Sequence, residues 1–229
     1  MMGRLPIANY RVEREYMGLE EMLNTRVGLG VFHLRTFLLL CLVDMNDGVE
    51  LVLSSFLNPI IRALFPQATP ATLELLASIF YLGILVGSLI SGFLADQYGR
   101  KRLITSGAIL QICVSGVFYF ANSLEAMVIL RFLYGFSFGF TVAVTTSMFA
   151  EVSPTAYRGK GILLINFCIS IGKLYAVLLG WVFLKPILPE TNWKLMMVCG
   201  ALPNFIVLWG SVYVLEESPR FLLMHGEYD

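Results

Sequence analysis

Six stretches of this chain are apolar almost without interruption, and short polar segments separate them. A helix needs ~20 apolar residues to cross the hydrocarbon core of a bilayer. On that measure the pattern predicts helical spans at residues 34–58, 75–95, 103–122, 124–149, 161–184 and 194–215. The connections alternate in character. Residues 59–74, 122–125 and 185–193 carry few cations, and the first and last of these hold Pro59, Pro66, Pro70, Pro186 and Pro189. The loops at 96–102 and 150–160 are basic. The chain therefore divides into a polar amino-terminal segment (1–33), a six-helix all-α membrane domain (34–215) and the start of a further polar loop (216–229). Within the first segment, residues 10–30 predict a short amphipathic helix. Glu13, Glu15, Glu20 and Glu21 interleave there with Arg11 and Arg14, while Val12, Tyr16, Leu19 and Leu23 share one face.

Charge sets the orientation. Arg4, Arg11, Arg14, Arg26, Arg35, Arg100, Lys101, Arg102, Arg158, Lys160 and Arg220 fall on one side of the predicted spans, against Arg62, Lys185 and Lys194 on the other. Cations are retained in the cytoplasm, so both termini are expected there. Hydrophobic residues make up 57% of the chain and charged residues 14%, with a mean hydropathy of +0.75. A soluble domain carries about a quarter charged residues, so lipid is the solvent for most of this surface. With 16 basic and 16 acidic residues the net charge is zero, which leaves no basic field for nucleic acid. Cys41, Cys113, Cys168 and Cys199 all lie inside apolar spans without metal-ligand or disulfide spacing, and read as small buried hydrophobes. Residues 1–33 are polar and the first apolar run is a full span, so no cleavable signal peptide is expected. His33 and His225 lie outside the predicted spans with no partner in ligand spacing. There is no nucleophile elbow and no phosphate-cradling loop, so neither an enzyme nor a cofactor is expected.

Five charges sit in the wrong solvent. Asp44, Asp47 and Glu50 fall in the first span, within a sector of about 120° on one side of a helix. A single ionised carboxylate at mid-membrane costs at least ~2.5–3.5 kcal/mol, so a lipid-facing stripe of three is untenable. They must face protein or a water-filled cavity, a setting in which carboxylates serve for reversible protonation. Arg131 in the fourth span and Lys173 in the fifth lie at comparable depth. Two readings stand: static ion pairs with the acids, or one polar cavity for a solute and a coupling proton. Small residues also recur at helical spacing, as Gly83-x-x-x-Gly87 and Gly135-x-x-x-Gly139, which lets membrane helices pack backbone to backbone.

Gly92-Phe93-Leu94-Ala95-Asp96-Gln97-Tyr98-Gly99-Arg100-Lys101-Arg102, between the second and third spans, resembles the signature loop of the major facilitator superfamily, G-x-x-x-D-x-x-G-R-[RK]. Arg131-Phe132-Leu133-Tyr134-Gly135-Phe136-Ser137-Phe138-Gly139 resembles that family's fourth-helix motif, in which the arginine is associated with proton coupling. The loop from Glu151 through Pro154 to Arg158 and Gly159 is similar to the E-x-x-P-x-x-x-R-G loop of its sugar-porter-like and organic-ion-transporter-like members. Glu217-Ser218-Pro219-Arg220 resembles their P-E-S-P-R, with Glu216 in place of the first proline. The resemblance implies gating contacts among Gly92, Asp96, Gly99, Arg100, Lys101, Glu151, Arg158, Glu217 and Arg220.

Met45-Asn46-Asp47-Gly48-Val49-Glu50 looks like the first helix of proteins related to synaptic vesicle protein two, and Gly28–His33 and Ile162–Ile165 also resemble that branch. The sugar-porter branch fits less well. Where its fifth helix carries a glutamine that reaches sugar hydroxyls, this chain has Asn166, and Lys173 follows the helix glycine. A lysine there favours an anionic or zwitterionic solute over a neutral hexose.

Together the resemblance implies a transporter of a small, charged organic solute working by alternating access, with Asp44, Asp47, Glu50, Arg131, Asn166 and Lys173 at its cavity. Family members have about twelve helices in two halves, with substrate between them, so six spans correspond to one half. A second half, a second copy or other membrane subunits are the expected partners. The alternative is a half-transporter retained as a structural subunit of a larger complex.

Overall fold

The computed structural model describes residues 30–66, 69–184 and 192–225. The amphipathic helix expected at 10–30 lies almost wholly outside them. The described residues form helices and connecting turns, with no strand among them. In chain order the helices are α1 (Val31–Leu64), α2 (Pro70–Tyr98), α3 (Arg100–Phe120), α4 (Leu124–Val152), α5 (Thr155–Phe183), α6 (Asn192–Gly200), α7 (Leu202–Tyr213) and α8 (Pro219–His225). Their starts follow ordinary capping chemistry. Thr69 accepts the Thr72 N–H at 3.3 Å ahead of Pro70, whose missing N–H costs nothing at that position. Ser123 accepts the Ala126 N–H at 3.3 Å to open α4. Between α2 and α3 the chain turns at Gly99, at φ 90°, the one positive φ among the described residues.

Among the described residues five helical segments are long and apolar enough to cross a membrane: α2, α3, α4, α5 and the joined segment Asn192–Tyr213; α1, whose residues 34–58 were expected as the first span, is not one of them. The joined segment was expected as one continuous helix and is instead broken at Ala201. Pro203 is the cause, because it has no N–H to give the carbonyl of Cys199 four residues back. That freed carbonyl accepts from the Tyr175 hydroxyl of α5 at 3.1 Å, which keeps the break satisfied inside the protein.

The helices interlock by backbone contact. Gly83 and Gly87 of α2 lie against the backbone of Phe132 and Phe136, and Gly135 and Gly139 of α4 against that of Phe80 and Ile84. A methyl group on any of the four would run into a main-chain carbonyl. The two small-residue pairs noted in the sequence thus face each other. A second crossing of the same kind joins α1 to α5 through Gly48 and Gly172.

Two apolar clusters fill the bundle. One gathers Leu53, Leu57, Phe118, Met127 and Trp193, the other Leu40, Ile104, Met148, Ile165 and Val207. The outer faces of α2 and α5 carry exposed Leu85, Leu89, Phe93, Leu163, Phe167 and Trp181. Lipid accepts such surfaces without the penalty that water would exact.

Candidate functional site

Between the two apolar clusters α1 presents its acids. Asp44, Asp47 and Glu50 are 0–1% exposed, enclosed by protein on every side. Polar groups from three other helices meet them. Thr141 of α4 donates to Asp47 Oδ1 at 3.3 Å. The Asn46 amide donates both to Glu50 Oε1 and to Gln111 Oε1 of α3, each at 3.3 Å. Gln111 and Asn204 of α7 bring further amide groups beside Asp47 and Glu50 without completing hydrogen bonds of normal geometry. Both oxygens of Asp44, one each of Asp47 and Glu50, and the Asn46 Oδ1 have no partner among the described residues. Buried polar groups are normally satisfied, and buried charges are normally paired. This cluster is neither.

Arg131 does not neutralise it. The guanidinium is buried at 2% exposure and donates to Ser54 Oγ and, at 2.6 Å, to Asn58 Oδ1, both one to two turns farther along α1. Tyr134 follows one turn beyond Arg131 on α4, and Ser115 donates to its hydroxyl at 3.4 Å. Lys173 and Asn166 do not reach the cluster either. Both are exposed on the outer side of α5, where Asn166 donates back to the Ile162 carbonyl of its own helix at 3.0 Å. The six residues expected around one cavity therefore separate into three places: the acids together, Arg131 on Ser54 and Asn58, and Asn166 with Lys173 on the outside of α5. The reason is angular, since Gly172 occupies the α5 face that meets α1 and the adjacent Lys173 is turned away from it.

At the end of the bundle that carries the basic loops, the motif residues come together. Arg100 Nη2 lies 2.6 Å from Glu151 Oε1, with both side chains about nine-tenths buried, and 3.5 Å from Asp96 Oδ1. Glu151 is held from its other side by Ser218 Oγ at 2.5 Å, with Arg220 at 4.0 Å. Glu217 accepts the backbone N–H groups of Arg100 at 2.7 Å and of Lys101 at 3.1 Å. It thereby caps α3, which has no capping side chain of its own at Gly99. A side chain on Gly99 would strike that same carboxylate. Lys101 reaches the Val212 carbonyl of α7 at 3.2 Å, and Arg158 the Ser153 carbonyl at 3.5 Å. Gly92 stands apart, exposed and with open space around it.

The α2–α3 turn is thus locked to the end of α4 by the buried Arg100–Glu151 pair and to the end of α7 by Lys101. Residues 52–229 match the family described as sugar (and other) transporter. The chain belongs to that family of the major facilitator superfamily. It is 31% identical over 206 residues to the inner membrane metabolite transport protein YgcS of Escherichia coli (strain K12), covering 87% of this chain and 44% of that protein. It is 30% identical over 237 residues to synaptic vesicle glycoprotein 2C of Mus musculus, covering 95% of this chain and 31% of that one. The partially occluded inward-open xylose transporter XylE from E. coli superposes with a TM-score of 0.80 at 18% identity, over 86% of this chain and 52% of that one. That likeness shows the fold. The chain thus spans from about three-tenths to about half of the length of these relatives, and it is an integral, multi-pass membrane protein.

Sequence reasoning located the charged residues and missed their neutral companions. Asn46, Gln111, Thr141 and Asn204 line the acid cluster, and Ser54 and Asn58 hold Arg131. Gln111 and Asn204 are amides in the middle of apolar runs, which is a readable signal of an inward-facing position. Thr141 and Ser54 are not, because hydroxyls in membrane helices commonly bond to their own backbone.

Proposed function

We propose that this chain forms the amino-terminal six-helix half of a secondary transporter, with α1 as the span that brings its charge-exchange site. The observation that carries the reading is the trio of sealed carboxylates on α1 without a cation at hydrogen-bonding distance among the described residues. A scaffold gains nothing from such a cluster, because buried ionic groups are a costly way to stabilise a fold. A carrier that moves charge across the membrane needs groups whose charge is exchanged with a proton or with the solute.

In this reading Asp47 and Glu50 bind and release the proton. Asn46, Thr141, Gln111 and Asn204 provide the hydrogen bonds that tolerate both states, since hydroxyls and amides both donate and accept. Asn166 and Lys173, on the outward side of α5, face a second half and meet a small, charged organic solute between the halves. The network of Arg100, Asp96, Glu151, Glu217 and Arg220 closes the cytoplasmic side, where both termini lie. It is a set of discrete contacts that can be made in one conformation and broken in the other, as alternating access requires. The intact network weighs against a structural subunit without transport, which has no use for a breakable latch.

The test is solute counterflow in proteoliposomes. They would hold the chain together with whatever completes it in the native membrane, and be screened against sugars, polyols, organic anions and organic cations. The reading expects counterflow of a charged solute that is slowed, not abolished, by Asp96→Asn. No counterflow with any class, from protein that retains its fold, would favour the structural subunit.

A further inference from the structure

A cavity of about 610 Å³ opens where α1 and α5 begin and α4 ends, outside the acid cluster and outside the charged latch. Its walls are largely apolar, built from Leu34, Phe37 and Phe149 among others, and its polar rim includes His33, Tyr157 and Lys160. His33 is the informative member. Its Nδ1 accepts the Gly30 backbone N–H at 3.4 Å, so the proton of the neutral ring sits on Nε2. The side chain is 6% exposed, and Nε2 has no partner among the described residues. It is a buried donor lacking an acceptor, and such groups are rare in a finished site. Lys160 also has no ion-pair partner among the described residues, and Tyr157 is half exposed. An imidazole N–H, an ammonium and a phenol hydroxyl around an apolar hollow call for a ligand with acceptor oxygens, negative charge and a hydrocarbon body.

The position favours a lipid as the source. The cavity lies at the helix ends that the basic loops mark, the depth at which head groups sit. Exposed Val31, Leu34 and Leu163 beside it carry its apolar wall out to the surface of the bundle. We propose that this cavity binds an anionic phospholipid from the adjacent leaflet, its phosphate on Lys160, Tyr157 and His33 and the first part of an acyl chain against Phe37 and Phe149. The cavity shares no lining residue with the acid cluster or the latch, so its existence does not depend on the function proposed above.

The experiment uses the full chain in nanodiscs of phosphatidylcholine with a trace of phosphatidylglycerol bearing a diazirine on its acyl chain. Photolysis and peptide mapping should place the label on the segments holding Leu34–Phe37 and Phe149. Unlabelled phosphatidylglycerol should compete, and added phosphatidylcholine should not. Lys160→Gln, at an exposed position where the fold is not at stake, should weaken capture about tenfold, as expected for loss of a charge-assisted contact. His33→Phe should do the same in protein with an unchanged melting temperature. Equal labelling by a zwitterionic probe would overturn the proposal. So would displacement by inorganic phosphate alone, which would assign a free anion, or cross-linking of residues 1–29 into the cavity in place of lipid. Undiminished capture by Lys160→Gln would overturn it as well.

Discussion

Arg100 and Glu151 illustrate what a single ion pair does in this protein. Their side chains are 11% and 10% exposed, so solvent screens them little, and each is also tied to a second partner, Asp96 or Ser218. Removing one member strands the other in a dry environment, which costs roughly 3–5 kcal/mol for fully buried pairs. Glu151→Gln should therefore lower the thermal midpoint of the purified protein clearly, as should Arg100→Gln. The double variant should lose much less than the sum of the two. Additive losses would mean that the two side chains act independently. The latch was legible in the sequence because cations and acids between membrane spans are conspicuous. The role of Glu217 was not. It caps a helix that starts 117 residues earlier, and nothing local to either segment announces that contact. Likewise Lys173 was visible as a charge within a span, yet the face it occupies depends on Gly172 meeting α1, which no single helix pattern reveals.

At the scale of elements, the bundle is organised by two glycine-lined crossings, α2 with α4 and α1 with α5. The small-residue spacing was readable, and its partner was not, because a G-x-x-x-G pair says that something approaches closely without saying what. Gly135 lies against the Phe80 carbonyl, and main chain cannot step aside as a flexible side chain can. Gly135→Ala should cost about 1–3 kcal/mol or more through overpacking. Gly116, in the last turns of α3 with open space around it, is the control: Gly116→Ala should be neutral or stabilising by up to about 1 kcal/mol. Thermal unfolding of the two variants in one detergent decides the matter, and similar losses at both positions would refute the packing account. The break between α6 and α7 shows the opposite kind of limit. Pro203 stood in plain view, but the apolar run through it reads as one span. The Tyr175 hydroxyl that makes the break tolerable comes from another helix.

For the whole molecule, the described helices form one bundle whose outer surface carries many exposed apolar side chains. Length, apolar runs and alternating loops were enough to foresee an all-helical membrane fold, because the bilayer leaves so few alternatives. They could not say which exposed apolar faces meet lipid and which meet protein, since both are greasy. The account assigns the Lys173 side of α5 to a water-filled path between halves and the Leu163 side to lipid. In a background with Cys41, Cys113, Cys168 and Cys199 replaced by serine, a membrane-impermeant maleimide should label Lys173→Cys and not Leu163→Cys. Transported solute should slow that labelling. Labelling at neither position would place Lys173 in lipid or in a dry interface and remove it from the solute path.

The central claim is that the sealed acids of α1 exchange charge as the transporter turns over. Solute-driven proton movement, followed with an entrapped pH dye in proteoliposomes, tests it most directly by comparing the unaltered chain with Asp47→Asn. The account predicts that the variant folds and still exchanges solute across the membrane, while proton movement coupled to solute is lost. Coupled proton movement of unchanged size in Asp47→Asn would contradict it.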